Sequence, residues 1–196
     1  QHSQSLEALF YHIPGLRVVV PSTPYDAKGL LTHSLRQDHP VMFLEHKHLY
    51  MTKGMVPEED YEIEFGKAEV MTEGDDVTIV AWSHMLLKAM EAAETLAAEN
   101  IRAEVINLRT LSPLDTDTIM TSVAKTNRVV IAQEAVRRGG VASDIASYIQ
   151  EEEFYSLDAP IEIVAGLNIP IPFNLTLEKA SVPQADDIVA AAKRTL

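Results

Sequence analysis

Short apolar runs alternate with helix-like segments along the chain, and this alternation restricts the possible fold more than any other feature. Each run has only four to six residues, is rich in Val, Ile and Ala, and lacks the apolar–polar alternation of a half-exposed strand. Such runs are typical of strands that are buried on both faces of a parallel sheet. They occupy residues 17–20, 41–45, 77–82, 103–108, 129–132 and 161–164.

The segments between these runs carry helix signals. Ser22-Thr23-Pro24 places a capping hydroxyl before a proline and predicts a helix that continues to about residue 37. Ser83 and Asp115 are the expected N-caps of two further helices. Other helices are predicted over about 5–12, from Gly139-Gly140 to about 153, and from about 184 to the end; residues 67–72 are predicted to form an edge strand.

Strands separated by helices predict a mostly parallel, doubly wound α/β sheet with helices on both faces. Ligands of such sheets lie beyond the carboxyl ends of the strands. In this chain those ends are near residues 82–84, 109–111 and 134–136.

Length and charge set further limits. A chain of 196 residues buries roughly 70% of its unfolded surface and suits one large domain or two small ones. The net charge of −13 repels phosphate backbones, which disfavours nucleic-acid binding and favours a basic partner.

The sequence has no cysteine and no apolar run of 18 residues, so disulfides, thiolate metal sites and a membrane-spanning helix are not expected. We expect the cytoplasm as the location.

Residues 47–66 interrupt the strand–helix pattern with Pro, Gly and a run of acidic residues, and we interpret them as a connecting segment. The segment also holds large apolar side chains that would be costly to leave in water. We therefore expect a packed, extended connection.

The cluster Gln1-His2-Ser3-Gln4-Ser5 directly precedes a predicted helix. A histidine near a helix N-terminus has its neutral form favoured by the helix dipole. Neutral imidazole both accepts and donates protons near pH 7, which acid–base chemistry on a carbonyl requires. The residues alone leave a second interpretation open, in which His2 is a surface histidine without a role.

Two other motifs allow a functional and a structural interpretation. His46 and His48 lie two residues apart after a strand and suggest a metal pair, but no third ligand is evident, and hydrogen-bonded or solvated histidines are the favoured interpretation. Gly139-Gly140 follows two arginines and could bind an anion, although a tight turn or close packing is favoured. No glycine-rich nucleotide fingerprint is present, which disfavours a stand-alone nucleotide-binding domain.

Long strings in the sequence match one family. They include Gln1-His2-Ser3-Gln4-Ser5 and Ile106-Asn107-Leu108-Arg109-Thr110-Leu111-Ser112-Pro113-Leu114-Asp115. Further strings cover residues 12–16, 20–30, 43–47, 134–135, 139–141, 157–160 and 183–188. With these strings the whole chain resembles the beta subunit of the thiamine-diphosphate-dependent component of 2-oxo acid dehydrogenase complexes, in the transketolase superfamily.

The resemblance implies a domain organisation and an activity. Residues 1–46 look like the C-terminal part of a pyrimidine-binding domain, 47–66 like the connecting segment and 67–196 like a transketolase-type C-terminal domain. The implied reaction decarboxylates a 2-oxo acid, with pyruvate-type substrates expected, and transfers the acyl group to lipoyl. The alternative is an acetoin dehydrogenase beta subunit. Catalytic parts of the family precede the position that matches Gln1, so we expect this chain alone to be an inactive module for subunit assembly and acyltransferase docking.

The resemblance also implies site residues and partners. His2 matches the family's active-site histidine, which orients or protonates the intermediate and assists acyl transfer. The carbonyls of Ser34, Leu35 and Gln37 match a monovalent-cation site of some members, although Gln37 and His39 depart from the residues usual there. Thiamine diphosphate and Mg²⁺ are expected to be bound by the full assembly. The expected partners are an alpha subunit, a second beta subunit and the dihydrolipoyl acyltransferase core, without nucleic acid or membrane.

Overall fold

The structure is a computed structural model that describes residues 3–196, in which strands and helices alternate as the sequence predicts. In chain order the elements are α1 (Glu7–Tyr11), β1 (Arg17–Val19), α2 (Pro24–Leu35), β2 (Val41–Phe43), β3 (Glu69–Thr72), β4 (Val77–Ala81), α3 (His84–Ala97), β5 (Ala103–Asn107), β6 (Thr110–Ser112), α4 (Thr116–Thr126), β7 (Val129–Val136), α5 (Val141–Glu152), β8 (Glu162–Gly166), α6 (Leu175–Ser181) and α7 (Ala185–Thr195). Short 3₁₀ helices cover Lys47–Leu49 and Phe154–Ser156.

The larger sheet has five strands in the order β3-β5-β4-β7-β8. The last four strands run parallel, and β3 pairs antiparallel with β5 at the edge. Helices α3 and α7 cover one face, while α4 and α5 cover the other. The predicted doubly wound α/β fold and the edge position of residues 67–72 are therefore confirmed.

Burial explains why the central strands are rich in apolar residues. Every residue of β4 and of β5 is buried, because helices pack on both faces of these strands. The polar side chain of Thr78 within β4 is satisfied by the hydroxyls of Ser122 and Thr126, each at 2.7 Å. The hydroxyl of Thr78 is therefore buried in the core with its hydrogen bonds made.

The smaller sheet joins two parts of the chain, residues 3–66 and 67–196, which we call its first and second halves. Its order is β2-β1-β6: β1 runs parallel to β2, whereas β6, from the second half of the chain, pairs antiparallel with β1. The side chains of Val18 and Val20 pack into the same core as Trp82 and Ile106. Strand β6 was not predicted from the sequence, since three residues that begin next to an Arg at φ 61° carry no strand periodicity of their own.

Several predicted details were wrong. Ser83, a predicted N-cap, makes no side-chain capping hydrogen bond to α3. Its backbone has a positive φ of 52°, whereas an N-cap residue that makes this bond is usually extended. Strand β7 extends four residues beyond the predicted 129–132 to Val136, and helix α6 was not predicted. By contrast Asp115 caps α4 as predicted, since its carboxylate accepts a hydrogen bond of 3.1 Å from the backbone N–H of Thr118.

The segment 47–66 packs against the first half of the chain. Ile63 is buried and contacts Val19 and Leu30. Its side chain lies so close to Gly29 that a Cβ at this glycine would be 2.6 Å from Ile63 Cγ1. Gly29 therefore lets the connecting segment approach helix α2 directly.

A buried ion pair links helix α2 to Arg109, which lies between β5 and β6. Asp26 is completely buried, and its carboxylate accepts hydrogen bonds from Arg109 Nε at 2.7 Å and from Asn107 Nδ2 at 2.8 Å. Arg109 also donates to Glu69 at 2.5 Å. Asp26 in addition closes a capping box with Thr23 at the start of α2. One carboxylate thus fixes both the helix start and the contact between the halves.

No helix within residues 3–196 combines the length and the apolar character needed to cross a membrane.

We predict that Asp26→Ala destabilises the chain by about 3–5 kcal/mol, because the substitution leaves the buried guanidinium of Arg109 without its main partner. Urea unfolding followed by circular dichroism measures the change. Asp38→Ala, at an exposed aspartate, is the control and should cost less than about 0.5 kcal/mol. An Asp26→Ala variant as stable as the control would contradict the importance given to this pair.

Candidate functional site

Three side chains meet where the carboxyl ends of neighbouring strands come together. His84 begins α3 just after β4, Glu134 lies near the end of β7, and His46 follows β2. Because β4 and β7 are adjacent and parallel, their carboxyl ends lie at one edge of the sheet. Two of the three strand ends that the sequence analysis marked for ligands, residues 82–84 and 134–136, are therefore brought together.

The local backbone aims each of these side chains into the site. Ser83 adopts φ 52° and ψ −136°, an unfavourable conformation for a residue with a Cβ, and turns the chain so that His84 faces Glu134. The pairing of β7 with β8 shifts register between Ala132 and Val136, and Glu134 lies within this irregularity. His46 is the N-cap of the first 3₁₀ helix, and its Nδ1 accepts the backbone N–H of His48 at 3.2 Å.

Glu134 is the centre of the cluster. His46 Nε2 lies 3.0 Å from both carboxylate oxygens, and His84 Nδ1 lies 3.2 Å from Oε2. The hydroxyl of Ser5 donates a weaker hydrogen bond of 3.3 Å to Oε1. The His46 and His84 rings stack with centroids 4.8 Å apart. The site is reachable from solvent, since the three side chains keep 18–21% of their surface exposed.

The electrostatics of the site favour an ionised carboxylate. Burial on its own raises the pKa of Glu134, but the hydrogen bonds and the charges of His46 and His84 outweigh burial and lower this pKa to about 2. Glu134 therefore carries a full negative charge at neutral pH. It can accept hydrogen bonds from both imidazoles or act as a ligand for a cation.

Glu7 is a second carboxyl group in this region and is more deeply buried than Glu134. Burial raises the pKa of the Glu7 carboxyl, although its own backbone N–H and the indole N–H of Trp82, which donates to Glu7 Oε1 at 3.4 Å, oppose the shift. Glu134 raises the pKa further and His46 lowers it slightly. Two carboxyl groups in one region are thus held in different environments.

A cavity of about 230 Å³ adjoins the site between the residues that follow β1 and those that follow β2. It is lined by Pro21, Ser22, Thr23, Pro24, Ala27, Glu45, His46, Leu49, Tyr50 and Thr52. His46 therefore faces both the cavity and Glu134. The rim contributes one carboxylate, Glu45, and neither Lys nor Arg.

The residues predicted from the sequence have different outcomes. His2, the predicted catalytic residue, lies outside the residues that the structure describes. Ser34, Leu35 and Gln37, the predicted cation ligands, lie at the end of α2 and just beyond it. The backbone carbonyl of Ser34 already accepts the N–H of Gln37 at 3.3 Å.

His46 gains ligand partners that the sequence analysis missed. His84 and Glu134 lie far from it in the sequence, so no local spacing connects them. The available signal was their common position at the carboxyl ends of predicted strands. His48, the other member of the proposed pair, contributes its backbone N–H and a ring 5.5 Å from that of His46, centroid to centroid.

Gly139 and Gly140 have a structural explanation. Gly139 is in the left-handed region at φ 62°, and a Cβ at Gly140 would lie 2.2 Å from the side-chain nitrogen of Gln133. The side-chain oxygen of Gln133 in turn accepts the backbone N–H of Ala142 at 2.9 Å, at the start of α5. The tight turn and close packing account for the glycine pair without an anion.

Two protein-family models match the chain. The model of the transketolase C-terminal domain matches residues 66–188, and that of the transketolase pyrimidine-binding domain matches residues 1–53.

Curated relatives are similar along the whole chain. The acetoin:2,6-dichlorophenolindophenol oxidoreductase subunit beta of Cupriavidus necator is 50% identical over 196 residues, which cover 100% of this chain and 58% of the relative. The pyruvate dehydrogenase E1 component subunit beta of Rickettsia felis is 48% identical over 194 residues, 99% of this chain and 60% of the relative. The chain thus spans less than two thirds of the length of these relatives.

A solved structure described as "Split gene transketolase, inactive beta4 tetramer" is similar in fold. It has a TM-score of 0.83 and 30% sequence identity, and the match covers 97% of this chain and 60% of that one.

We predict that Glu7→Gln makes the chain more stable at pH 8, by on the order of 1 kcal/mol, because the amide avoids the cost of burying a charge. The pKa of Glu7 is raised above 4.5 in the folded chain, so the folded state binds more protons than the unfolded state above this pH. Wild-type stability therefore falls as the pH rises through the folded pKa, and the variant should lose this part of the pH dependence.

Urea unfolding at pH 5 and pH 8 tests this, with Glu94→Gln at an exposed helix position as the control. An equal pH dependence in wild type and Glu7→Gln would show that the buried carboxyl does not titrate differently on folding.

Proposed function

The chain belongs to the transketolase C-terminal domain family, and we propose that it forms the beta-subunit portion of a thiamine-diphosphate-dependent 2-oxo acid dehydrogenase of the pyruvate type. In this proposal the assembled enzyme decarboxylates the 2-oxo acid and transfers the acyl group to lipoyl. The observation that carries the proposal is the 44–50% identity to named dehydrogenase and acetoin oxidoreductase beta subunits over 98–100% of the chain.

We propose that residues 1–46 end a pyrimidine-binding domain, that 47–66 connect the domains and that 67–196 form the C-terminal domain. The family matches to residues 1–53 and 66–188 support this division. The smaller sheet adds one qualification, since β6 of the second part completes a sheet with β1 and β2 of the first.

We propose His2 as the catalytic acid–base residue of the assembled enzyme. Its support is the Gln1-His2-Ser3-Gln4-Ser5 motif, together with the contact made by Ser5. Ser5, three residues later, donates a hydrogen bond to Glu134 and so connects this segment to the site at the strand ends.

The lining of the cavity beside His46 does not fit the charged end of thiamine diphosphate. A diphosphate with its Mg²⁺ requires cationic or carboxylate ligands arranged around the metal. The cavity beside His46 instead offers one carboxylate and no cationic side chain. We therefore propose that an alpha subunit carries the Mg²⁺ and the diphosphate.

An acetoin-cleaving enzyme is the second candidate. The 50% and 47% identities to acetoin:2,6-dichlorophenolindophenol oxidoreductase beta subunits of Cupriavidus necator and Bacillus subtilis favour it. The two candidates differ in substrate and share the His2 motif, so a substrate panel separates them.

We propose an alpha subunit, a second beta subunit and a dihydrolipoyl acyltransferase core as partners. The stretch from Leu167 to Leu177 supports subunit contacts, because it exposes Leu167, Ile169, Phe173, Leu175 and Leu177, with Phe173 fully in solvent. The net charge of −13 suits a basic docking domain. The similar tetramer of beta chains is described as inactive, which supports an inactive isolated chain.

We predict that the complete beta subunit, assembled with an alpha subunit, acylates lipoyl with a 2-oxo acid, and that the 196-residue chain alone does not. His2→Ala should lower acyl transfer by about 100-fold or more, because acid–base catalysis contributes about 10²–10⁴-fold. The measurement compares pyruvate, branched 2-oxo acids and acetoin, with His39→Ala at an exposed histidine as the control.

Acyl transfer by His2→Ala at the wild-type rate would remove His2 from the mechanism. Cleavage of acetoin without turnover of any 2-oxo acid would replace the first candidate by the second.

We further propose that the carbonyls of Ser34, Leu35 and Gln37 bind a monovalent cation. If they do, KCl should raise the melting temperature of the chain above its value in N-methylglucamine chloride of equal ionic strength, because an ion that binds only the folded state stabilises it. Equal melting temperatures in the two salts would contradict this site.

A further inference from the structure

We propose that His46, His84 and Glu134 form a binding site for a divalent transition-metal ion of the zinc class. Two imidazoles and one carboxylate converge from three separate elements, and their candidate ligand atoms all lie within 4.8 Å of one another. The site goes beyond the proposed function, since it requires neither the thiamine cofactor nor a partner subunit.

The distances within the cluster suit a tetrahedral ion. Zinc binds His nitrogen and carboxylate oxygen at about 2.0–2.2 Å, which separates two tetrahedral ligands by about 3.3–3.5 Å. His46 Nε2 and His84 Nδ1 lie 3.0 and 3.2 Å from oxygens of Glu134. Both separations are a few tenths of an ångström below the value for two tetrahedral ligands.

The ligand types select the class of metal. Imidazole suits Zn²⁺, Co²⁺, Ni²⁺ and Cu²⁺, whereas Mg²⁺ and Ca²⁺ prefer sites made of oxygen atoms. Two histidines with one glutamate leave a fourth position open to water or to an added ligand, as in zinc sites with three protein ligands. The partial exposure of 18–21% for the three side chains supplies a path for the ion to enter.

The backbone places the ligands in an arrangement that does not arise from regular structure. Ser83, directly before His84, holds a strained left-handed conformation, and Glu134 lies within a register shift of β7. Strain of this kind persists where the surrounding structure requires it, and it is concentrated at functional sites. Two irregularities that aim two ligands at one point favour a built site over a chance contact.

The hydrogen bond from the backbone N–H of His48 determines which ring nitrogen of His46 carries the proton that a bound ion would replace. A backbone N–H only donates, so His46 Nδ1 is an acceptor at 3.2 Å and its Nε2 carries the proton that points to Glu134. Metal binding at Nε2 moves the ring proton to Nδ1 and breaks this long hydrogen bond. The conformation of the first 3₁₀ helix, Lys47–Leu49, should therefore change when the ion binds.

A bound ion would link the two halves of the chain. His46 follows β2 of the smaller sheet, whereas Glu134 belongs to β7 of the five-stranded sheet and His84 begins the helix that follows β4 of that sheet. An ion that binds this arrangement in the folded state alone stabilises it in proportion to the logarithm of its concentration over the dissociation constant. Metal affinity and thermal stability should therefore change together.

The test uses the 196-residue chain without an affinity tag, stripped with EDTA and titrated with ZnCl₂ in a calorimeter and in thermal unfolding. We expect one ion per chain and a rise in melting temperature that EDTA reverses, with no response to equal MgCl₂. Co²⁺ in place of Zn²⁺ should show the visible absorption of a tetrahedral site with nitrogen ligands.

His84→Ala and Glu134→Gln should each weaken binding by about 100-fold or more, since loss of even an outer partner of a metal site costs about 10–100-fold. His39→Ala, at an exposed histidine, is the matched control and should bind like wild type. Circular dichroism without metal confirms that each variant folds, and Glu134→Gln keeps the size of the side chain if His84→Ala does not fold.

Absence of saturable Zn²⁺ binding to the wild-type chain, or wild-type affinity in a folded His84→Ala or Glu134→Gln variant, would overturn the site. Equal binding of Mg²⁺ would overturn the assigned class of metal.

Discussion

The buried pair of Asp26 and Arg109 is the interaction on which the arrangement of the two halves depends. Asp26 has no exposed surface, and only the guanidinium, the amide of Asn107 and the start of its own helix satisfy its charge. A charge in such a place is strongly unfavourable without its partner, so the two halves are stable together in one relative position. The antiparallel pairing of β6 with β1 adds backbone hydrogen bonds to the same junction.

The site at the strand ends follows from this junction. His46 belongs to the first half, and Glu134 and His84 belong to the second, so the cluster forms only when the halves meet in register. Glu134 then gains two imidazole partners, which hold its carboxyl ionised despite burial. The contact between the halves also buries Glu7 beside Trp82, and this burial raises the pKa of the Glu7 carboxyl.

Much of the fold could be predicted from the sequence because local patterns determine it. The apolar runs of the central strands, the hydroxyl and proline at the start of α2 and the cap Asp115 all act within a few residues. The strand β6 and the strain at Ser83 could not be predicted, because contacts between distant residues create both. The cluster of His46, His84 and Glu134 is of the same kind. The sequence placed two of these residues at strand ends, and only the parallel pairing of β4 with β7 brings them together. The resemblance to a family contributed His2, whose catalytic role stays a prediction because this residue lies outside those that the structure describes.

A double-mutant cycle between Asp26 and Arg109 tests the dependence of the structure on this pair most directly. Urea unfolding of wild type, Asp26→Ala, Arg109→Ala and the double variant gives the coupling free energy of the two side chains. A buried pair that holds the halves together should give a coupling of about 2–3 kcal/mol, with the double variant losing far less stability than the sum of the single variants. Additive losses, with a coupling below about 0.5 kcal/mol, would show that the halves are held in register by other contacts.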